Sequence, residues 1–140
     1  MAYTLKYNHT LKIVELEYTG LFTAQESRES TSRAIALGKE HGDADALVDA
    51  MEAELSISIV DLLDLPSRQY VVNDMNRRIR VAVVPPKLPK DREDAQFFET
   101  ACLNRGWQVR LFPCRVDAIE WLKGADFSNE ANAGDACPGT

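Results

Sequence analysis

The sequence predicts a single α/β domain, a mostly parallel five-stranded sheet with one antiparallel edge strand, in the order β-β-α-β-α-β-α-β-α. Three observations lead there. Ile79, Val81, Ala82, Val83 and Val84 form a nearly unbroken apolar run between Arg78 and Pro85-Pro86, and a strand so rich in β-branched residues suits the centre of a parallel sheet, covered on both faces. Further apolar runs alternate with helical patterns around it, which calls for right-handed crossovers between parallel neighbours. The chain opens instead on period-two alternation, the mark of an antiparallel hairpin with one wetter face.

In the hairpin, Tyr3, Leu5 and Tyr7 alternate with Thr4 and Lys6, and Val14, Leu16 and Tyr18 alternate with Glu15 and Glu17. Asn8-His9-Thr10 supplies the turn. Ile13 breaks the phase, as a bulge or as a position covered from the other side. Gly20 is read as the end of the hairpin, and Thr23-Ala24-Gln25-Glu26 has the Thr-x-x-Glu form of a helix start. That helix runs to about His41, stops at Gly42, and turns small residues inward (Ser27, Thr31, Ala34, Gly38). Ala46 to Ala50 is a short strand with Asp49 at its carboxyl end, followed by a loop from Glu52 to Ile57. Ser58-Ile59-Val60-Asp61 starts a short helix to residue 64, and Pro66 starts another to about Met75, because a residue before proline disfavours helical angles.

After the central strand, Lys87 to Asp91 is a basic loop. Arg92 to Arg105 is an amphipathic helix with Ala95, Phe98, Ala101 and Cys102 on one stripe and Gly106 as its stop. Gln108 to Pro113 is the last strand, and Arg115 to Lys123 the last helix. Residues 1–124 thus make the domain, and residues 125–140, rich in Ala, Asn, Gly, Asp and Ser, are expected to be a disordered C-terminal tail.

Composition narrows the function. A net charge of -6 gives an acidic surface that repels phosphate backbones, which argues against nucleic acid. No run approaches an integral membrane segment and no leader-like apolar core opens the chain, so a cytoplasmic location is expected. Cys102, Cys114 and Cys137 show no paired spacing, and reduced thiols are expected. His9 and His41 have no partner at ligand spacing, so no metal and no cofactor are assigned. No phosphate loop, dinucleotide fingerprint or nucleophile elbow is present, and no catalytic residue is assigned. Cys114, between a strand and a helix beside Arg115, has the setting of a reactive thiol but no histidine base in reach along the chain.

In an open α/β sheet the useful crevice lies at the carboxyl ends of the strands. The loops expected there run from Asp49 to Ser58, Pro85 to Asp91 and Pro113 to Val116. Asp49, Ser56 and Ser58 are candidates for an anion or phosphorylation site at a helix start, against the plainer reading of a loop end and a helix cap. Leu55, Ile59, Leu62, Leu63, Tyr70 and Val71 are candidates to line an apolar pocket between the sheet and the helices of residues 58–75. Arg77, Arg78, Arg80, Lys87, Lys90 and Arg92 gather positive charge, either to meet an acidic partner or as solvated flanks of the strand.

The opening hairpin, Ala46-Leu47-Val48-Asp49, Arg80-Val81-Ala82-Val83-Val84, Phe97-Phe98, Arg105-Gly106-Trp107 and Ala118-Ile119-Glu120-Trp121-Leu122 together resemble the SpoIIAA-like proteins. These are relatives of the STAS domain and, in fold, of Sec14-type lipid-binding domains. The resemblance implies a non-enzymatic module. In STAS switches a phosphorylatable residue follows the strand matching Ala46 to Asp49, in an Asp-Ser-Ser-Gly-like motif, whereas here Asp49 is followed by Ala50, Met51 and Glu52. The expectation is a cytosolic STAS-like regulatory or protein-interaction module whose partner is an unidentified protein or a second copy of the chain. The alternative is binding of a small apolar ligand or lipid.

Overall fold

Strands β1 (Tyr3–Asn8), β2 (Ile13–Thr23), β3 (Asp45–Ser56), β4 (Arg80–Val84) and β5 (Gln108–Leu111) lie side by side in chain order. β1 runs antiparallel to β2, and the other neighbours are parallel. This is the predicted sheet. The computed structural model describes residues 3–124, so the expected tail lies outside the described residues.

Each parallel crossover steps one strand in the same direction, so a uniform right-handed sense puts all the crossover helices on one face. These are α1 (Ala24–Glu40), the helical segment α2 (Ile59–Asp64) to α3 (Tyr70–Val72), and α4 (Pro89–Asn104). The last helix, α5 (Arg115–Leu122), folds onto the opposite face. β4 sits between both layers. Val81 and Val83 join Leu62, Leu65, Tyr70, Phe98, Cys102 and Trp107 on the side of the crossover helices, while Ala82 and Val84 join Ile13, Leu47, Phe112 and Ala118 under α5. Ile13 breaks the hairpin's phase because it is covered from the α5 side. Among the described residues no helix is long and apolar enough to cross a membrane.

The turns follow from named side chains. Asn8 Oδ1 accepts the amides of Thr10 and Leu11 at 3.0 and 2.9 Å, which closes the hairpin. Thr23 Oγ1 accepts the Glu26 amide at 3.3 Å and caps α1. Gly38 lets α1 approach closely, since a Cβ there would lie 3.4 Å from the Ala44 carbonyl. α4 closes on Gly106 at φ +84°, with Gly106 N–H to the Leu103 carbonyl at 3.1 Å and Trp107 N–H to the Cys102 carbonyl at 3.0 Å.

The structure corrects three sequence expectations. β2 does not end at Gly20; it carries that residue at φ +71° and continues to Thr23. β3 does not end near Asp49 but runs to Ser56, so Glu52 to Ile57 is mostly strand rather than loop. The pairing steps from Glu17↔Asp49 to Thr19↔Glu52, so one extra residue of β3 bulges opposite Tyr18. The bulge flips the side-chain phase, so Ala50 and Ala53 share one face with Tyr18 and Phe22. Finally, Pro66 does not restart a helix. The chain passes through a π-helical turn, Leu65–Gln69, closed by the Tyr70 amide on the Leu65 carbonyl. That wider turn accommodates the missing proline N–H, and the Pro66 carbonyl accepts the Trp107 indole Nε1–H at 2.9 Å.

Candidate functional site

Between the sheet and the crossover helices the packing leaves a cleft. Its larger part, a cavity of about 90 Å³, is walled by Leu16, Tyr18, Phe22, Val48 and Ala50 from β2 and β3, Leu62 of α2 and Leu65 just after it, and Ala95 and Phe98 from α4. A second cavity of about 70 Å³ adjoins it toward the amino ends of the strands, past Ala34, Ile35, Met75 and Ile79. Leu16, Thr31, Val48, Tyr70 and Val81 line both. The cleft exists because α1 turns small residues toward the sheet, Ser27, Ser30 and Gly38, where larger side chains would fill the space.

The walls are neutral. Burial raises the Tyr18 phenol far above the usual tyrosine range, outweighing the opposing hydrogen bond with Ser30, and burial likewise raises Tyr70. One polar atom stands out: the Ser27 hydroxyl, on a residue 2% exposed, lines the larger cavity and has no hydrogen-bond partner among the described residues.

Leu55, Leu62 and Tyr70 of the predicted pocket set line the larger cavity. Ile59 packs at the edge of the adjoining core, Leu63 is half-buried, and Val71 points to solvent at 55% exposure. The expected pocket set named no residue of β2 or α1, although the small inward residues Ser27, Thr31, Ala34 and Gly38 were read in the sequence, and of these Ser27 and Thr31 line the larger cavity.

The structure does not bring Asp49, Ser56 and Ser58 together. Asp49 lies within β3 on the α5 side, 8% exposed. Its Oδ1 accepts the Met51 amide at 3.1 Å, at the bulge, and its Oδ2 accepts Arg115 Nη1 at 3.2 Å. Ser56 is exposed at the end of β3. Ser58 caps α2, its Oγ accepting the Asp61 amide at 3.1 Å and donating to Asp61 Oδ2 at 3.1 Å. β3 runs on to Ser56, which separates Asp49 from Ser56 and Ser58, although Asp49 remains level with Val84 at the end of β4.

Arg115 is the organiser that sequence reasoning missed. Besides Asp49 it holds Glu15 Oε1 at 2.6 Å, and Asn8 Nδ2 donates to Glu15 Oε2 at 2.7 Å. Burial acts to raise the Glu15 pKa, but the hydrogen bonds from Asn8 and Arg115 and the Arg115 charge prevail, leaving it below 4.5. Three of the six basic residues have partners within the domain, while Arg78, Lys90 and Arg92 are exposed. Arg77 lies over the Trp107 ring at 4.0 Å, Arg80 lies over Trp121 at 5.1 Å and donates to its carbonyl, and Lys87 pairs with Glu52.

Two further placements bear on chemistry. His9 and His41, unrelated in sequence pattern, meet across Tyr7, which stacks on His41 at 3.6 Å and meets His9 edge-on at 4.9 Å. Among the described residues no group of three or more His, Cys, Asp and Glu could hold a metal ion. Cys102 is free and fully buried, and burial raises its thiol pKa. Cys114 is buried at the start of α5, and Cys137 lies outside the described residues.

No protein-family profile matches the chain, and no curated protein matches it. Among solved structures it is similar to an uncharacterized protein from the DUF3478 family with a SpoIIAA-like fold, from Shewanella loihica PV-4, with a TM-score of 0.54 and 15% identity over 86% of this chain and 92% of that one. The fold is therefore SpoIIAA-like, as the hairpin, the central strand and the closing Trp-Leu helix suggested.

Proposed function

We propose that the chain is a non-enzymatic, STAS-like regulatory module that binds a protein partner at the carboxyl end of its sheet. The supporting observation is the placement of four of the eight exposed large apolar side chains among the described residues, the others being Val71, Val72, Phe97 and Leu103 on α3 and α4. Leu21 near the end of β2, Val60 at the start of α2, Leu88 just before α4 and Val116 at the start of α5 are 58%, 74%, 49% and 43% exposed, and each lies within a few residues of a parallel strand's carboxyl end. Apolar side chains gathered beside one edge of a domain suit burial against another protein. The test substitutes Val60→Glu and Leu88→Glu together. Cross-linking in the native host should lose one defined adduct in the variant at unchanged melting temperature; equal adducts in both proteins would end this reading.

In this reading Ser56 and Ser58 border the partner face. Added phosphate would meet Glu52 and Glu54 nearby, so Ser56→Ala and Ser58→Ala should leave partner binding unchanged unless the serines form a switch.

A second reading is favoured by the cleft itself, whose neutral walls and unpartnered Ser27 hydroxyl suit a small apolar ligand. A native mass spectrum beside a denatured one tests it. A mass excess that vanishes on denaturation supports retention of a ligand, and Leu62→Trp should abolish it.

A further inference from the structure

We infer that the cleft beneath α1 is a site for a neutral aromatic molecule of about one ring carrying a single hydroxyl, a phenol or small aromatic alcohol, with the Ser27 hydroxyl as its polar anchor. The inference rests on the ligand-binding reading and assigns it a ligand class and an anchoring residue.

Size comes first. The two adjoining cavities, of about 90 and 70 Å³, are together comparable to the ~150 Å³ engineered cavity that admits benzene. They share Leu16, Thr31, Val48, Tyr70 and Val81, so a ring in the larger part can extend a methyl group into the smaller. The two parts together would not enclose a long acyl chain. Charge comes second. Among the described residues no charged side chain lines either cavity, and the two phenols facing them stay neutral because burial opposes their ionisation. An ion would lose its hydration with nothing to replace it, so the occupant is uncharged.

Polarity is the third constraint. A buried hydroxyl without a partner costs about 1–3 kcal/mol, and Ser27 Oγ is such an atom. The Tyr18 hydroxyl bonds Ser30 and makes no hydrogen bond to Ser27. A water held here would meet few of the about 2–4 polar partners that buried waters make, because the walls are dominated by aliphatic and aromatic groups. A ligand hydroxyl satisfies Ser27 while its ring fills the apolar remainder. Gln69 Oε1 is also buried and unpartnered, but Gln69 does not line the cavity and plays no part.

The experiment titrates p-cresol and toluene, two probes of nearly equal shape, into the wild-type chain, Ser27→Ala and Leu62→Trp, following amide shifts by NMR. The inference expects p-cresol to bind the wild type about 10-fold more tightly than toluene, the worth of one hydrogen bond to a buried hydroxyl. Ser27→Ala should erase that preference and keep toluene binding, and Leu62→Trp should block both probes. Equal binding of both probes to the wild type overturns the anchoring role and leaves the cleft as a ligand site. Binding of neither probe overturns both together. Because the comparison of probes is made on the wild-type chain, the outcome does not depend on any variant folding.

Discussion

Arg115 gathers two carboxylates from neighbouring strands, Glu15 of β2 and Asp49 of β3, onto the part of the sheet that α5 leaves open. The sign of the resulting pH dependence follows from Glu15. Its pKa in the folded chain lies below 4.5, so between the two values the unfolded chain holds more protons. The contribution is complete above the unfolded pKa and is lost as the pH falls through the folded one. Acidification from pH 7 to below ~4.5 should lower the melting temperature of the wild type more steeply than that of Glu15→Gln. Parallel slopes in the two proteins would remove Glu15 from the account. Trp107 is the other decisive residue, being 1% exposed with its indole N–H on the Pro66 carbonyl. Trp107→Phe leaves that carbonyl unpaired and should cost about 1–3 kcal/mol in urea denaturation.

At the scale of elements, the caps can be separated from the switch idea. Ser58→Ala removes the N-cap of α2 and should cost about 1 kcal/mol, whereas exposed Ser56→Ala should change stability by less than ~0.5 kcal/mol. Equal losses measured by urea midpoint would contradict the cap assignment. The same region shows what sequence pattern can and cannot reveal. The central strand, the parallel order and α1 with its Thr23 cap were legible because an apolar run, alternating elements and a capping motif are local signals. The extension of β3 was not. Ala53, Leu55 and Ile57 do alternate with Glu52, Glu54 and Ser56, but the bulge opposite Tyr18 breaks their phase with Val48 and Ala50. A broken period reads as a loop, and Asp49 was thereby misplaced at a strand end. Pro66 misled for a related reason, since a π-helical turn keeps the segment continuous where proline alone suggests a break. The Arg115 cluster was illegible because its members join through pairing across distant segments rather than through spacing.

For the whole molecule, the question is whether the two layers unfold as one. The crossover helices and α5 pack on opposite faces of the same sheet, and β4 sends Val81 and Val83 into one layer and Ala82 and Val84 into the other. Neither layer keeps its apolar face covered once β4 leaves the sheet, so the two should be lost together. The chain carries a reporter in each. Trp107 lies among Tyr70, Cys102 and Val109 under the crossover helices, and Trp121 lies on α5 against Phe112 with ring centroids 5.3 Å apart. Trp121→Phe leaves Trp107 as the sole tryptophan, and Trp107→Phe leaves Trp121. In each variant, urea midpoints from fluorescence and from far-ultraviolet circular dichroism should coincide, even though the two variants differ in overall stability. If Trp121 fluorescence changed at lower urea than the dichroism of the same protein, α5 would be a separately loosened layer. The open polar face beside it would then widen before the sheet gives way, while the cleft on the other face, bounded by β2, β3 and the crossover helices, would persist.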